Sequence, residues 1–270
     1  MNNWENNVRK VVPYTPGEQP KDTGIIKLNT NENPYPPSPR VKAVMDSFDD
    51  AKMRLYPDTN STVLVDALSE KYKVKPSQIF VGVGSDDVIS MAFLTFFNSD
   101  KPVLFPDVTY SFYDVWADVY RIPYKTKALD ENFRIRTDDY KCENGGIIFP
   151  NPNAPTGVYE RLDTIEEIIK ANLDSIVIID EAYIDFGGES CIPLVEKYEN
   201  LLVVQTFSKS RSMAGMRIGF AIGNEKLIKF MNDVKFSINS YTMNPLSQIC
   251  GAEAVYDDEY FVKTKNEIIS

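Results

Sequence analysis

Hydrophobic positions along the chain fall into two patterns that take turns. Short, mostly apolar stretches predict strands at 79–83, 102–105, 146–149, 175–180, 201–205 and 217–222, and the more polar 122–126 is read as a seventh. Apolar residues at helical spacing predict helices over 40–48, 62–72, 88–97, 110–120 and 161–172, and another from Asn224 onward. Strands that are apolar throughout are buried on both faces, and their alternation with helices indicates an α/β fold. The expected architecture is a mostly parallel seven-stranded sheet sandwiched by helices. Residues 1–40 follow neither pattern. Pro34, Pro36, Pro37 and Pro39 forbid a helix there, while Tyr14, Ile25, Ile26, Leu28 and Tyr35 suit an arm laid on another surface. After Pro245 the pattern reads as a single helix nearly to Ser270, with no Gly or Asn to stop it, and its apolar face is expected to be exposed. The expected organisation is thus an arm (1–40), a large domain (41–245), and the start of a helix (246–270) leading to a small C-terminal domain that is missing here.

Composition narrows the chemistry. With 270 residues, 43% of them hydrophobic, the chain can bury a large core. A net charge of −10 argues against nucleic-acid binding through phosphate neutralisation, though a small basic pocket remains compatible with it. Histidine is absent, which removes histidine-based triads and zinc sites. Cys142, Cys191 and Cys250 lack metal-ligand spacing and read as reduced residues, so no metal site is expected. The polar start has no signal-peptide core, and the longest greasy stretch, 91–97, falls far short of the ~20 residues a membrane span needs. A soluble cytoplasmic protein with no membrane partner is expected.

Candidate chemistry gathers at the predicted strand ends, where parallel sheets collect ligands. After 201–205 come Thr206, Ser208 and Lys209, with Arg217 eight positions beyond the lysine. A lysine amine held in an apolar pocket near other positive charge becomes a nucleophile able to form a Schiff base, and the hydroxyls and guanidinium suit a phosphate. Gly82 and Gly84 precede Ser85 and Asp86, a turn into a helix N-terminus. That turn suits a phosphate, equally suits an ordinary capped helix, and lacks the third glycine of a dinucleotide fingerprint. Tyr110, read as opening a helix, can stack on a flat ring. The loop 149–157, with three prolines, can aim Asn153 at a ligand. Asp180 ends an apolar strand, where a carboxylate needs a partner to offset desolvation. A cationic ring nitrogen suits it better than a metal, and Tyr183 can donate to an adjacent ring oxygen. A carboxylate for a pyridinium, an aromatic to stack, a phosphate cup and an amine for an aldehyde together describe pyridoxal 5′-phosphate.

Taken in order, these motifs resemble the fold-type I pyridoxal-phosphate enzymes of the aspartate aminotransferase superfamily, and within it the histidinol-phosphate aminotransferase branch. The resemblance runs from about Pro13 to the last residue and rests on PYTPG, LNTNENPYPPSP, LYPD, PNAPTG, DEAYIDF and TFSKSRSMAGMR. It implies an aspartate aminotransferase-like large domain with Lys209 as the Schiff-base lysine. Thr206, Ser208, Arg217 and the backbone at Ser85 and Asp86 would lie on the phosphate, and Tyr110 on the ring. Asn153 and Tyr183 would bond the ring oxygen, and Asp180 the ring nitrogen. It further implies a homodimer, with Tyr56 reaching the neighbouring subunit's cofactor phosphate, and Tyr14 near the substrate. The implied reaction is a reversible transamination between histidinol phosphate and 2-oxoglutarate, giving imidazole-acetol phosphate and glutamate in histidine biosynthesis. Family members carry in the small domain an arginine for the substrate's acidic group, and no arginine follows Arg217 here. The competing readings are a related phosphate-substrate enzyme such as threonine-phosphate decarboxylase, an aromatic aminotransferase, a non-catalytic remnant, and a Rossmann-type nucleotide binder that leaves Lys209 and Asp180 unexplained.

Overall fold

The computed structural model describes residues 3–21 and 24–270. Seven strands form one sheet: β1 (Ile79–Gly82), β2 (Val103–Pro106), β3 (Tyr124–Lys127), β4 (Gly146–Pro150), β5 (Val177–Asp180), β6 (Leu201–Thr206) and β7 (Gly219–Gly223), in the order β1-β7-β6-β5-β4-β2-β3. The pairs β2–β3, β2–β4, β4–β5 and β5–β6 are parallel, while β7 runs against both β1 and β6. The helices are α1 (Pro39–Ser47), α2 (Thr62–Tyr72), α3 (Ser85–Phe96), α4 (Tyr113–Tyr120), α5 (Leu162–Ala171), α6 (Glu225–Ile238), α7 (Pro245–Tyr256) and α8 (Asp258–Ile269). Among the described residues no helix is long and apolar enough to cross a membrane.

Successive strand side chains point to opposite faces, so an apolar strand feeds two cores. Ile147, Val177, Ile179, Leu201 and Val203 join α1, α2, α5 and α7 in one cluster. Ile148, Ile178, Leu202 and Val204 join α3, α4 and α6 in the other. This is why the central strands lack polar alternation. It also aims Asp180, which shares parity with Ile178, toward the α3/α4 face.

Three expectations are corrected. The helix foreseen over 110–120 begins only at Tyr113, leaving Tyr110 in the loop before it. The next helix boundary errs the other way, since α3 begins at Ser85, directly after Gly84 (φ 93°), rather than at Val88. The single helix foreseen after Pro245 is broken at Asp257, whose carboxylate accepts the Tyr260 N–H to cap α8 and also takes a hydrogen bond from the Ser38 hydroxyl. Its first half is not left exposed, because α7 packs on α1 and α2 and buries Cys250, Ala252, Ala254 and Val255.

Candidate functional site

The carboxyl ends of β1, β4, β5 and β6 surround a cavity of about 190 Å³. Register explains the convergence. Gly219, opening the reversed strand β7, lies opposite both Gly82 of β1 and Thr206 of β6, and Asp180 lies opposite Pro150 and Val204. The cavity is lined by Ser85, Asp86, Tyr110, Asp180, Tyr183, Thr206, Ser208, Lys209 and Arg217, nine residues that the sequence nominates, together with Thr30 and Glu32 from the arm.

Asp180 forms the floor. Its Oδ2 accepts from the Tyr113 hydroxyl at 3.0 Å and its Oδ1 from the Ala182 N–H at 3.2 Å. Burial nevertheless lifts the carboxyl to about 6, overcoming those two donors. Among the described residues no cation lies within ion-pair distance of this acid, and Lys209 favours its charged form only from further off. Lys209, three residues beyond β6, donates from Nζ to the Thr30 carbonyl at 2.9 Å and lies 5.4 Å above the Tyr183 ring.

The opposite wall is built for an anion. Helix α3 opens without a side-chain cap, and its first residues, Ser85 and Asp86, line the cavity, so the N-terminal end of its dipole lies at this wall. Arg217 adopts a left-handed backbone (φ 53°) and brings Nη2 within 3.5 Å of Asp86 Oδ2. The Thr206 hydroxyl donates to Ser208 Oγ at 3.0 Å. Two glycines make this corner. A Cβ on Gly84 would lie 2.4 Å from Arg217 Nη2, and one on Gly219 would lie 2.3 Å from the Gly84 carbonyl carbon. Tyr110 donates to Asp86 Oδ1 at 3.0 Å, and burial pushes its phenol well above the ordinary value.

Three nominated residues lie elsewhere. Asn153 is turned away, because its amide donates to Val108 O (2.9 Å) and Thr156 Oγ1 (3.0 Å) and accepts from Thr109 Oγ1 (3.2 Å). Its polar atoms are taken up by its own loop and by the loop after β2, and Asn153 lines a neighbouring cavity of about 350 Å³. Tyr14 packs on Phe112 at 4.2 Å, beside Tyr110 and outside the lining. Tyr56 is 81% exposed, packs on Tyr241 with ring centroids 4.5 Å apart, and is outside the lining.

The arm lies on the chain's own site. Asn33 Nδ2 donates to the Lys209 carbonyl at 2.9 Å and Asn31 Nδ2 to the Tyr183 hydroxyl at 3.0 Å. Thr30, Asn31, Asn33 and Tyr113, with Glu32 of the cavity lining, are site residues that sequence reading misses. The repeated asparagines of LNTNEN were the available signal for the first three. Tyr113 offers none, because an aromatic three residues after another on a helix reads as core.

This donor set fits pyridoxal phosphate. The glycine-lined corner with its uncapped helix end and arginine would take the phosphate, the buried acid, which no cation pairs at ion-pair distance among the described residues, a protonated ring nitrogen, and the amine an aldehyde.

Comparison with known proteins gives the same direction. Residues 23–270 match the family model described as aminotransferase class I and II. The chain is 53% identical over 266 residues to a histidinol-phosphate aminotransferase of Pseudomonas syringae pv. syringae (strain B728a), covering 98% of this chain and 76% of that one. It is 52% identical over 267 residues to a protein of the same name from Lactococcus lactis subsp. cremoris (strain MG1363), covering 99% and 75%. Among solved structures, the histidinol-phosphate aminotransferase of Clostridium acetobutylicum superposes with a TM-score of 0.79 at 24% identity over 88% of this chain and 71% of that one. The Sinorhizobium meliloti enzyme of that name, in complex with pyridoxal-5′-phosphate, gives 0.80 at 19% identity over 88% and 66%. At these identities the structural likeness shows the fold alone.

Proposed function

The chain belongs to the aminotransferase class I and II family, and on that premise we propose that it uses pyridoxal phosphate to exchange an amino group between histidinol phosphate and 2-oxoglutarate. The choice of substrates is supported by the names of relatives about half identical to it. The observation that carries the chemistry is the meeting of one amine, Lys209, and one buried acid, Asp180, in a single cavity.

When bound, pyridoxal phosphate supplies an aldehyde that takes up an amine and a protonated ring that draws off the electron pair left at the substrate Cα. The chain's own residues do the rest. Ser85, Asp86, Thr206, Ser208 and Arg217 would anchor the phosphate, and Tyr110 would cover the ring. Asp180 would hold a proton at the ring nitrogen, and Tyr183 would donate to the ring oxygen. Lys209 would hold the aldehyde at rest and, once displaced by substrate, would carry the proton leaving Cα. In the structure its amine donates to the Thr30 carbonyl, a contact that ties the arm to the mouth of the cavity. In this reading residues 41–245 form the cofactor domain, the protein is cytoplasmic, and Tyr56 reaches the cofactor phosphate of a second copy in a homodimer.

Titration with pyridoxal phosphate should raise a visible absorbance band that borohydride fixes to the chain and Lys209→Ala abolishes. Histidinol phosphate should then bleach the band, and with 2-oxoglutarate present glutamate should accumulate. A band that survives Lys209→Ala sinks the assignment of the lysine. A normal band with no glutamate from histidinol phosphate sinks the choice of substrate.

A further inference from the structure

Asp180 has a constant companion to which the proposed function gives no part. Tyr113 is the first residue of α4, and its ring is wholly buried. The ring sits edge-on to Tyr110 at 5.7 Å and to Phe105 at 5.8 Å, so it has little room to turn. From that fixed ring the hydroxyl donates to Asp180 Oδ2 at 3.0 Å, in a pair shielded from water.

The terminal torsion of an aspartate is broad and roughly two-fold, so the carboxyl plane is not set by the side chain itself. Here a donor on each oxygen sets it: the Tyr113 hydroxyl on Oδ2 and the Ala182 N–H on Oδ1. The second comes from Asp180's own turn and cannot position it against the rest of the fold. The first comes from α4, the helix that follows the Tyr110 loop. We propose that Tyr113 is a positioning residue, whose hydroxyl fixes the Asp180 carboxyl in the plane and the ionised form that pair with the cofactor's ring nitrogen.

The inference rests on the pyridoxal-phosphate reading and deepens it. The other charges facing Asp180 are Asp86, which opposes its ionisation, and Lys209, which favours it. Lys209 has the aldehyde and the Cα proton to attend to, and Asp86 is engaged with Arg217 and Tyr110. Tyr113 is the side-chain donor that stays on the acid throughout. It also remains a donor, because burial and the adjacent Asp180 push its phenol far above the ordinary value. A hydrogen bond to a charged group in a dry site is among the stronger kinds.

The test is a double-mutant cycle read as affinity for pyridoxal phosphate at neutral pH, not as turnover. Tyr113→Phe keeps the ring and removes only the hydroxyl. It is expected to weaken cofactor binding about tenfold in the native background. In the Asp180→Asn background the same change should matter less than about twofold, since the group it acts through is gone. Carbon NMR on the cofactor-free chain should show the Asp180 carboxyl titrating higher in Tyr113→Phe than in the unmutated protein. Equal losses in the two backgrounds mean that Tyr113 only packs, and overturn the proposal, as does no loss in either. A measurement on the unmutated protein covers the case in which the variant does not fold. The Tyr113 hydroxyl proton should appear as a downfield, slowly exchanging resonance that shifts when pyridoxal phosphate binds, and its absence overturns the proposal too. If the unmutated chain forms no absorbance band, the proposed function fails and this inference with it. If the band forms and Tyr113→Phe binds normally, only the inference fails.

Discussion

Two adjacent carboxyls, Asp180 and Glu181, leave the end of β5 on opposite faces of the sheet and meet different chemistry. Asp180 was legible in the sequence because a carboxylate closing an apolar strand stands out against its neighbours. Glu181 was not. Its Oε1 takes the Cys191 N–H at 2.6 Å, and its Oε2 takes the Ser190 hydroxyl (2.6 Å) and Gln205 Nε2 (2.8 Å), while Gln205 in turn accepts from the Tyr72 hydroxyl at 2.8 Å. Those partners come from three separate stretches that only folding brings together. Burial outweighs the donors and raises the Glu181 carboxyl from 4.5 to about 7. The sign follows from linkage: between those values the folded chain holds a proton that the unfolded chain has released, so raising the pH costs stability. The contribution is fully present below pH 4.5 and is lost as the pH climbs through about 7. A shift of this size corresponds to roughly 3 kcal/mol. Urea denaturation across this window should therefore show stability falling with pH, and Glu181→Gln should flatten much of the slope. Asp180, raised to about 6, adds to the same trend in the cofactor-free chain and is the part that Glu181→Gln leaves behind. An unchanged slope in the variant would show that Glu181 ionises as it would in water.

At the scale of elements, strands and helix interiors were readable because period-two and period-3.6 patterns report burial directly. The ends were less readable, because an end depends on backbone groups and tertiary partners that the pattern does not carry. Helix α3 starts at Ser85 since Gly84 supplies the positive φ its entry needs, and the break at Asp257 is made by a capping carboxylate. The arm was read as lying on some surface, and the asparagine bonds to Lys209 and Tyr183 show that the surface is its own cavity. The two glycines of the anion corner differ in what a methyl group would meet. On Gly84 it meets the mobile end of Arg217, so Gly84→Ala should leave the fold standing while pushing the guanidinium aside and straining a φ of 93°. Expected effects are about 1 kcal/mol of stability and about tenfold weaker pyridoxal-phosphate binding, roughly one charge-assisted hydrogen bond. On Gly219 it meets the backbone of Gly84 and Ser85, which cannot swing away. Gly219→Ala should thus cost more, about 3 kcal/mol, by forcing β7 from the start of α3. Melting curves and cofactor titrations of both variants check the contrast, and the reverse order of stabilities would contradict it.

At the scale of the whole molecule, the homodimer we propose bears on a group of exposed residues around Tyr56. Tyr56 faces outward and touches Tyr241, and Met53, Leu55 and Ile238 are further exposed apolar side chains close to them in the chain. Single exposed apolar residues are ordinary, but an exposed aromatic pair with exposed aliphatic residues near it in the chain is what the proposed second copy would cover. The cavity faces the arm, and Tyr56 lies outside its lining. A tyrosine that serves a cofactor phosphate from there must serve that of a neighbour. The homodimer we propose accounts for both facts, and two substitutions separate them. Leu55→Glu places a charge in the covered surface and should convert the dimer to monomer, a difference of at least tenfold in the dissociation constant measured by analytical ultracentrifugation. Tyr56→Phe removes one hydroxyl and leaves the apolar contact, so the dimer should persist while pyridoxal-phosphate affinity drops several-fold, about the value of one hydrogen bond. If the unmutated chain sediments as a monomer at micromolar concentration and still binds pyridoxal phosphate tightly, then Tyr56 has no cofactor to reach and its exposure needs another cause.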